Sequence, residues 1–334
     1  MTISRRSLVL MVLITLLGVT FAVVELPGRP AQAATTMRVL AISVDGLSVT
    51  AIERLGPGHL PNIYRLMRGG ASTREARSEY EQNVTLPNHT SMVTSRRITR
   101  SAHGHGVTWN DDRSWMTVQE AAGHPVSSVF SQVKRANRSS ALFASKSKFG
   151  LFDRSWPSID RFVVDSDADL VSRAAGDLAT NKRAFTFVHL GSPDHYGHRD
   201  GGMSAAYRDS VIRTDARIGR LLKAIDSSTT LKRSTYVILT ADHGFKAAAR
   251  DHGAHLYSNY RIPFVVWGPG VRVTRGASLY RLNPDYRAPG TTRPTYAGAQ
   301  PIRNGDLGNL ALDLLGLGPI PGSTLNSTQS LDIR

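Results

Sequence analysis

Three apolar runs along this chain each stop on acidic or histidine residues. Val39-Leu40-Ala41-Ile42-Ser43-Val44 ends on Asp45-Gly46. Phe185-Thr186-Phe187-Val188-His189-Leu190 leads into Gly191-Ser192-Pro193-Asp194, with His198 one helical turn further on. Val237-Ile238-Leu239-Thr240-Ala241 ends on Asp242-His243-Gly244. Runs of this length, rich in β-branched and aromatic residues and closed by turn residues, predict buried strands. Shorter strands are predicted over 139–144, 161–164 and 262–267. Apolar positions at helical spacing predict helices over 167–181 (Leu170, Val171, Ala174, Leu178) and 205–225 (Val211, Ile218, Leu221, Leu222). Another helical stretch covers 49–68, broken near Gly56-Pro57-Gly58, and a further helix begins near Asn88 or His89. Residues 275–305, rich in Pro, Gly, Arg and Tyr, read as a long surface loop. A last helix follows over 305–315, and the tail from Gly316 reads as lying across the surface.

Apolar strands alternating with helices imply an α/β fold, a mostly parallel central sheet covered on both faces. No repeat or linker composition interrupts residues 34–334, which read as a single catalytic domain. Residues 1–33 do not read as fold. Arg5-Arg6 precedes an apolar run from Leu8 to Val24, and Ala31-Gln32-Ala33 forms a small-residue cleavage site. This is the pattern of an export signal, either Sec or, with Ser4-Arg5-Arg6-Ser7-Leu8-Val9, twin-arginine. The expected location is secreted or otherwise extracytoplasmic, with an uncleaved anchor as the alternative. No later run is long and apolar enough to span a bilayer.

Composition narrows the chemistry. The 334 residues include no cysteine, so disulfides and thiolate metal sites are excluded and any metal is held by N and O ligands. The net charge of +15 suits anionic partners. No arginine stripe interleaved with aromatics marks a specific nucleic-acid groove.

Open α/β sheets place their chemistry at the carboxyl ends of strands. Asp45, Asp194, His198, Asp242 and His243 all follow strand ends, and Asp with His is a typical donor set for zinc-like cations. The loop after Gly244 adds Asp251, His252 and His255. Thr85-Leu86-Pro87-Asn88-His89 precedes a predicted helix N-terminus, where free N–H groups favour an anion. A cation-activated Thr hydroxyl there could act as a nucleophile; as plain structure, the same run reads as a Thr N-cap with Pro near the helix start. Lys146 and Lys148 read as solvated, and His103 and His105 as loop-shaping residues.

Taken in order, these motifs resemble the alkaline phosphatase superfamily and, within it, the type I phosphodiesterase/nucleotide pyrophosphatase family. The resemblance rests on Val44-Asp45-Gly46, on Thr85-Leu86-Pro87-Asn88-His89 with Thr94 and His105-Gly106-Val107, on Pro193-Asp194 with Gly197-His198, and on Asp242-His243-Gly244. It implies an alkaline-phosphatase-like three-layer sandwich and two divalent ions of the zinc type. One ion would be held by Asp194, His198 and a late His. The other would be held by Asp45, Asp242, His243 and the Thr85 oxygen. His252, next to Gly253, fits the late position better than His255. The resemblance also implies Thr85 as a nucleophile that forms a covalent phospho-enzyme. Asn110 and the backbone N–H near Leu86 would stabilise a non-bridging oxygen. Ser95 stands where the family carries Gly, and His89 stands where the related sulfatases carry Arg.

The expected substrate is a phosphate ester or nucleotide-like small molecule, most simply a phosphodiester or pyrophosphate. A phosphomonoesterase or phosphonate hydrolase is the rival on the same scaffold. A non-catalytic exported metal-binding protein is the rival of another class. Because neutral imidazoles are needed as ligands, activity should be greatest at neutral to alkaline pH.

Overall fold

The structure is a computed structural model, and it describes residues 36–275 and 278–334. The export signal read over 1–33 lies outside the described residues. Seven strands form one sheet: β1 Arg38–Val44, β2 Ala71–Arg77, β3 Ser140–Ala144, β4 Arg161–Val164, β5 Phe185–Leu190, β6 Thr235–Thr240 and β7 Arg261–Trp267. Their order across the sheet is β2-β7-β6-β1-β5-β3-β4. β1 pairs in parallel with β5 on one side and β6 on the other. β3 and β4 continue the parallel run, whereas β7 and β2 pair antiparallel. Helices cover both faces: Ala205–Asp226 packs with Asp167–Thr180 and Pro61–Gly69, while Thr85–Thr94, Val129–Arg135 and Leu307–Leu314 pack with one another. The mostly parallel α/β expectation therefore holds.

The central strands explain their own composition. Every residue of β5 and β6 is buried, as a strand covered on both faces requires. Ser43 of β1 pairs with His189 of β5 and with Thr240 of β6. That register ends three strands at one level, so the residues just beyond them share one rim. β1 is also where the chain order reverses, with β5 and β6 on opposite sides. Such a switch point opens a crevice at the strand ends.

Several details differ from the sequence reading. The helix expected near Asn88 or His89 starts at Thr85, because Val84 is the N-cap and Pro87 needs no intrahelical partner so near the start. β2, Ala-Ser-Thr-Arg-Glu-Ala-Arg, carries no strand pattern; as an edge strand paired only with β7, it needs no continuous apolar run. The segment read as a surface loop over 275–305 is anchored inward where described: Leu279, Tyr280, Ile302, Arg303 and Asn304 are buried. A short 3-10 turn, Asn304–Asp306, then leads into the last helix at Leu307. The tail likewise seats Ile320, Leu325, Leu331 and Ile333 in the interior rather than lying across the surface. Ser95 adopts φ +47°, ψ +40°, the left-handed region that favours glycine, at the end of the Thr85–Thr94 helix. Its Oγ accepts from Asn309 N–H, so the side chain does work a glycine could not.

Candidate functional site

The rim above β1, β5 and β6 gathers two clusters of donors. In the first, ligand atoms of Asp45, Asp242 and His243 lie within 4.8 Å of one another; in the second, those of Asp194, His198 and His252 do so. Backbone geometry fixes the first cluster. Asp242 Oδ1 accepts from Gly46 N–H at 3.1 Å and from His243 N–H at 2.9 Å, which leaves Oδ2 facing inward. Gly46 turns at φ +68°, and a Cβ there would lie 3.0 Å from the Asp194 Cα. Glycine at this position is what lets the β1 turn and the Asp194 segment approach. Asp194 N–H in turn donates to Asp45 O at 3.1 Å, tying the two clusters together.

The second cluster uses a different construction. Asp194 and His198 lie one turn apart on the Ser192–Asp200 helix, the spacing that puts both side chains on one face. His252 comes from the loop after β6. It is buried, whereas His255 is exposed and outside the cluster.

The histidine rings are oriented for ligation. Nδ1 of His198 donates to Arg250 O at 2.8 Å, Nδ1 of His252 to Asn83 O at 2.7 Å, and Nδ1 of His243 to Gly244 O at 3.0 Å. A carbonyl can only accept, so in the neutral rings each Nε2 carries a lone pair. The Nε2 atoms of His198 and His252 face each other at 3.1 Å. Two lone pairs at that distance repel unless a proton or a metal cation lies between them. Asp45 Oδ1, Asp194 Oδ1, Asp242 Oδ2 and His243 Nε2 are also buried without a hydrogen-bond partner. Three buried carboxylates with unpaired oxygens and inward-facing imidazoles form a donor set that fits divalent cations of the zinc type.

The Thr85 loop meets both clusters. His89 Nδ1 donates to Thr85 O at 2.8 Å and lies 3.7 Å from Asp242 Oδ2, while His252 is bound to Asn83 on the other side. Thr85 is the first residue of its helix, and the N-cap before it is Val84, which has no side chain able to cap the N-terminus. Asn88 holds the turn shape through Gln82 O and Val84 O, and it accepts from Glu79 N–H and Asn304 Nδ2. Asn304 also donates to Asp242 O, clamping the Thr85 and Asp242 loops together. Asn110 sits beside them: its Oδ1 accepts from Leu86 N–H at 3.0 Å.

Four residues gain roles that the strand-end pattern did not give them. His189, inside β5, donates from Nε2 to Asp45 Oδ2 at 2.9 Å, and its Nδ1 accepts from Ser145 N–H. His89 accepts from Ser43 Oγ, and burial pushes its ring down to about 4. His189 looked like ordinary sequence; a polar ring in a fully buried strand was the available signal. Lys146 and Lys148 are the clear correction. Lys146 is not solvated: its Nζ lies 2.6 Å from Asp45 Oδ2 and 2.7 Å from Asp194 Oδ2. Lys148 Nζ donates to Asn110 Oδ1 at 3.1 Å. The turn after β3 draws both side chains inward toward the carboxylates.

Charge sets the local proton affinities. Burial alone would raise Asp45, but Lys146 and the hydrogen bond from His189 hold its carboxyl well below the usual range. Burial, reinforced by the neighbouring His243, pushes His252 down to about 3, which keeps that ring neutral.

A family model for type I phosphodiesterase/nucleotide pyrophosphatase matches residues 39–110 and 99–296. The chain belongs to this family. The family member's fold is also that of the alkaline phosphatase superfamily. It overlays murine ectonucleotide pyrophosphatase/phosphodiesterase 5, an inactive variant in complex with AMP, with a TM-score of 0.60 at 15% identity, covering 85% of this chain and 96% of that one. It overlays a putative sulfatase from Bacteroides thetaiotaomicron with a TM-score of 0.64 at 14% identity, covering 90% and 75%. Among curated proteins it is similar to ectonucleotide pyrophosphatase/phosphodiesterase family member 3 of Rattus norvegicus, 25% identical over 70% of this chain and 28% of the relative. It is also similar to GPI ethanolamine phosphate transferase 1 of Candida glabrata, 32% identical over 36% of this chain. That match spans only 13% of the transferase. The family and superfamily expectation holds.

Proposed function

We propose that this phosphodiesterase-family chain is an exported, two-metal hydrolase of phosphate esters that works through a phospho-threonine at Thr85. The observation that carries the reading is the pair of donor clusters meeting at one threonine-bearing helix start. Asp45, Asp242 and His243, with the Thr85 oxygen, would hold one divalent cation, and Asp194, His198 and His252 would hold the other. Bound there, the cations supply electrostatic stabilisation for the charge that develops during an in-line displacement at phosphorus.

The chain's own residues do the rest. Thr85 Oγ1 gives up its proton to solvent and forms the bond to phosphorus as the bond to the ester oxygen breaks, and the departing oxygen takes up a proton from water. Water then releases the phosphate in a second displacement. Asn110 is oriented by Leu86 N–H and Lys148, so its Nδ2 is free to donate to a non-bridging oxygen. Neutral His198, His243 and His252 are required as ligands, which places activity on the neutral to alkaline side.

Family membership makes a diester or pyrophosphate the first substrate to test. A phosphate monoester is the second reading, and the two lysines beside the clusters favour it. Hydrolysis of bis-p-nitrophenyl phosphate and p-nitrophenyl phosphate by zinc-loaded protein separates the two. Thr85→Ala should lower turnover of the better substrate by at least about 1,000-fold while metal content stays constant. Unchanged turnover in Thr85→Ala would remove the threonine mechanism. Metal retention with no turnover of any ester would leave a binding protein instead.

A further inference from the structure

The loop after β3 brings two ammonium groups to the place where both donor clusters and Asn110 meet. Lys146 bridges the clusters, touching Asp45 of one and Asp194 of the other. Lys148 reaches Asn110 from the same turn. Neither is a loose surface lysine. Ser145 beside them is bound to His189, and Phe149 is buried against both His89 and His189. The loop is therefore locked to the same residues that hold Asp45 and Thr85.

We propose that Lys146 and Lys148 bind non-bridging oxygens of the substrate phosphoryl group and make a fully ionised phosphate monoester the preferred substrate. This rests on the two-metal reading above. Geometry supplies the first argument. A phosphoryl group shared by both clusters has to enter the gap that Lys146 Nζ spans. A monoester presents three non-bridging oxygens there, one more than a diester. In a diester the extra substituent would set carbon against an ammonium group, leaving a partly buried donor unpaired.

Charge supplies the second argument. Two divalent ions and two ammonium groups bring six positive charges to the site. Asp45, Asp194, Asp242 and an ionised Thr85 bring four negative ones. The two left over match a monoester dianion, whereas a diester carries one. Charge-assisted bonds to phosphate oxygens, at low local dielectric, make that difference count.

The test uses zinc-loaded full-length protein with Lys146→Met, Lys148→Met and the charge-keeping Lys146→Arg. Each Met variant should lower the ratio of kcat/KM for p-nitrophenyl phosphate over bis-p-nitrophenyl phosphate by roughly 10- to 100-fold, the loss of one charged hydrogen bond. Lys146→Arg should recover part of it. Titration calorimetry with inorganic phosphate should show the same weakening in the Met variants, with zinc content by mass spectrometry equal to that of the unaltered protein. Equal losses on both esters, unchanged phosphate binding, or loss of zinc in step with activity would overturn the proposal. Should Lys146→Met fail to fold, Lys148→Met carries the same expectation. If the unaltered protein turns over neither ester, the hydrolase reading falls, and the phosphate titration alone decides the role of the lysines.

Discussion

Asp45, Asp242 and His243 are fully buried, whereas the second cluster ends in a His198 side chain that is 46% exposed. The first cluster is cut from the ends of two paired strands and held by backbone N–H groups. The second is assembled from a short helix and a loop, and its ring orientations depend on the carbonyls of Arg250 and Asn83. The donor chemistry is similar; the mounting is not. A rigid, dry cluster should hold its ion tightly and exchange it slowly. A half-open one should load and release more readily. With both clusters loaded, the fold would carry one slowly exchanging ion and one readily exchanging ion.

Substitution at the buried cluster should have the largest effect. Asp242→Ala is expected to lower ester turnover by roughly 1,000-fold or more, with no recovery in excess zinc, as read by steady-state kinetics across a zinc series. Recovery of Asp242→Ala by added zinc would erase the contrast. His198→Ala should cost about 100-fold at limiting zinc and be substantially restored at saturating zinc. Chelator dialysis followed by mass spectrometry should show the metals leaving in two phases, the faster one abolished in His198→Ala. A single phase would mean that the two mountings are equivalent. His189→Ala removes the donor that orients Asp45 and should weaken the slow phase by roughly 10-fold, leaving the fast phase alone.

The smallest effect concerns the scaffold behind Thr85 and keeps fold stability apart from ion loss. Burial pushes the carboxyls of Glu79 and Asp306 up to about 7 each. Each therefore holds a proton in the folded chain at pH values where the unfolded chain has lost it. Their contribution to stability is complete below the ordinary carboxylate range and is lost as pH rises to about 7. Glu79→Gln, which keeps an acceptor for Tyr296 OH, should flatten the fall of Tm between pH 5 and pH 8. An unchanged slope would show that Glu79 does not titrate in this window.

How much of this was legible follows from where each residue gets its environment. Strands β1, β5 and β6 and the residues at their ends were readable because a doubly covered strand writes a continuous apolar run, and a polar residue closing it stands out. β2 was not readable, since its partner β7 supplies the pairing and its own sequence supplies no pattern. His189 and the two lysines were hidden for another reason. Their roles are set by distant partners, Lys146 to Asp45 across the sheet and Lys148 to Asn110, and no local periodicity records such contacts. The start of the Thr85 helix falls a few residues late in the sequence reading because Pro87 reads as part of the preceding loop, although a proline in the first turn is tolerated.

Placing β1 at the centre of the sheet also sets an order of events during folding. Asp45 follows the first strand, and its partners Asp242 and His243 follow the sixth. The clusters can form only after long-range parallel pairing is complete, a step that is slow because loop closure precedes any gain from contacts. Ion binding then belongs to the far side of the folding barrier. Metal should slow unfolding strongly while leaving the refolding rate almost unchanged, so that the ions act as a latch on a finished sheet rather than as a seed for it.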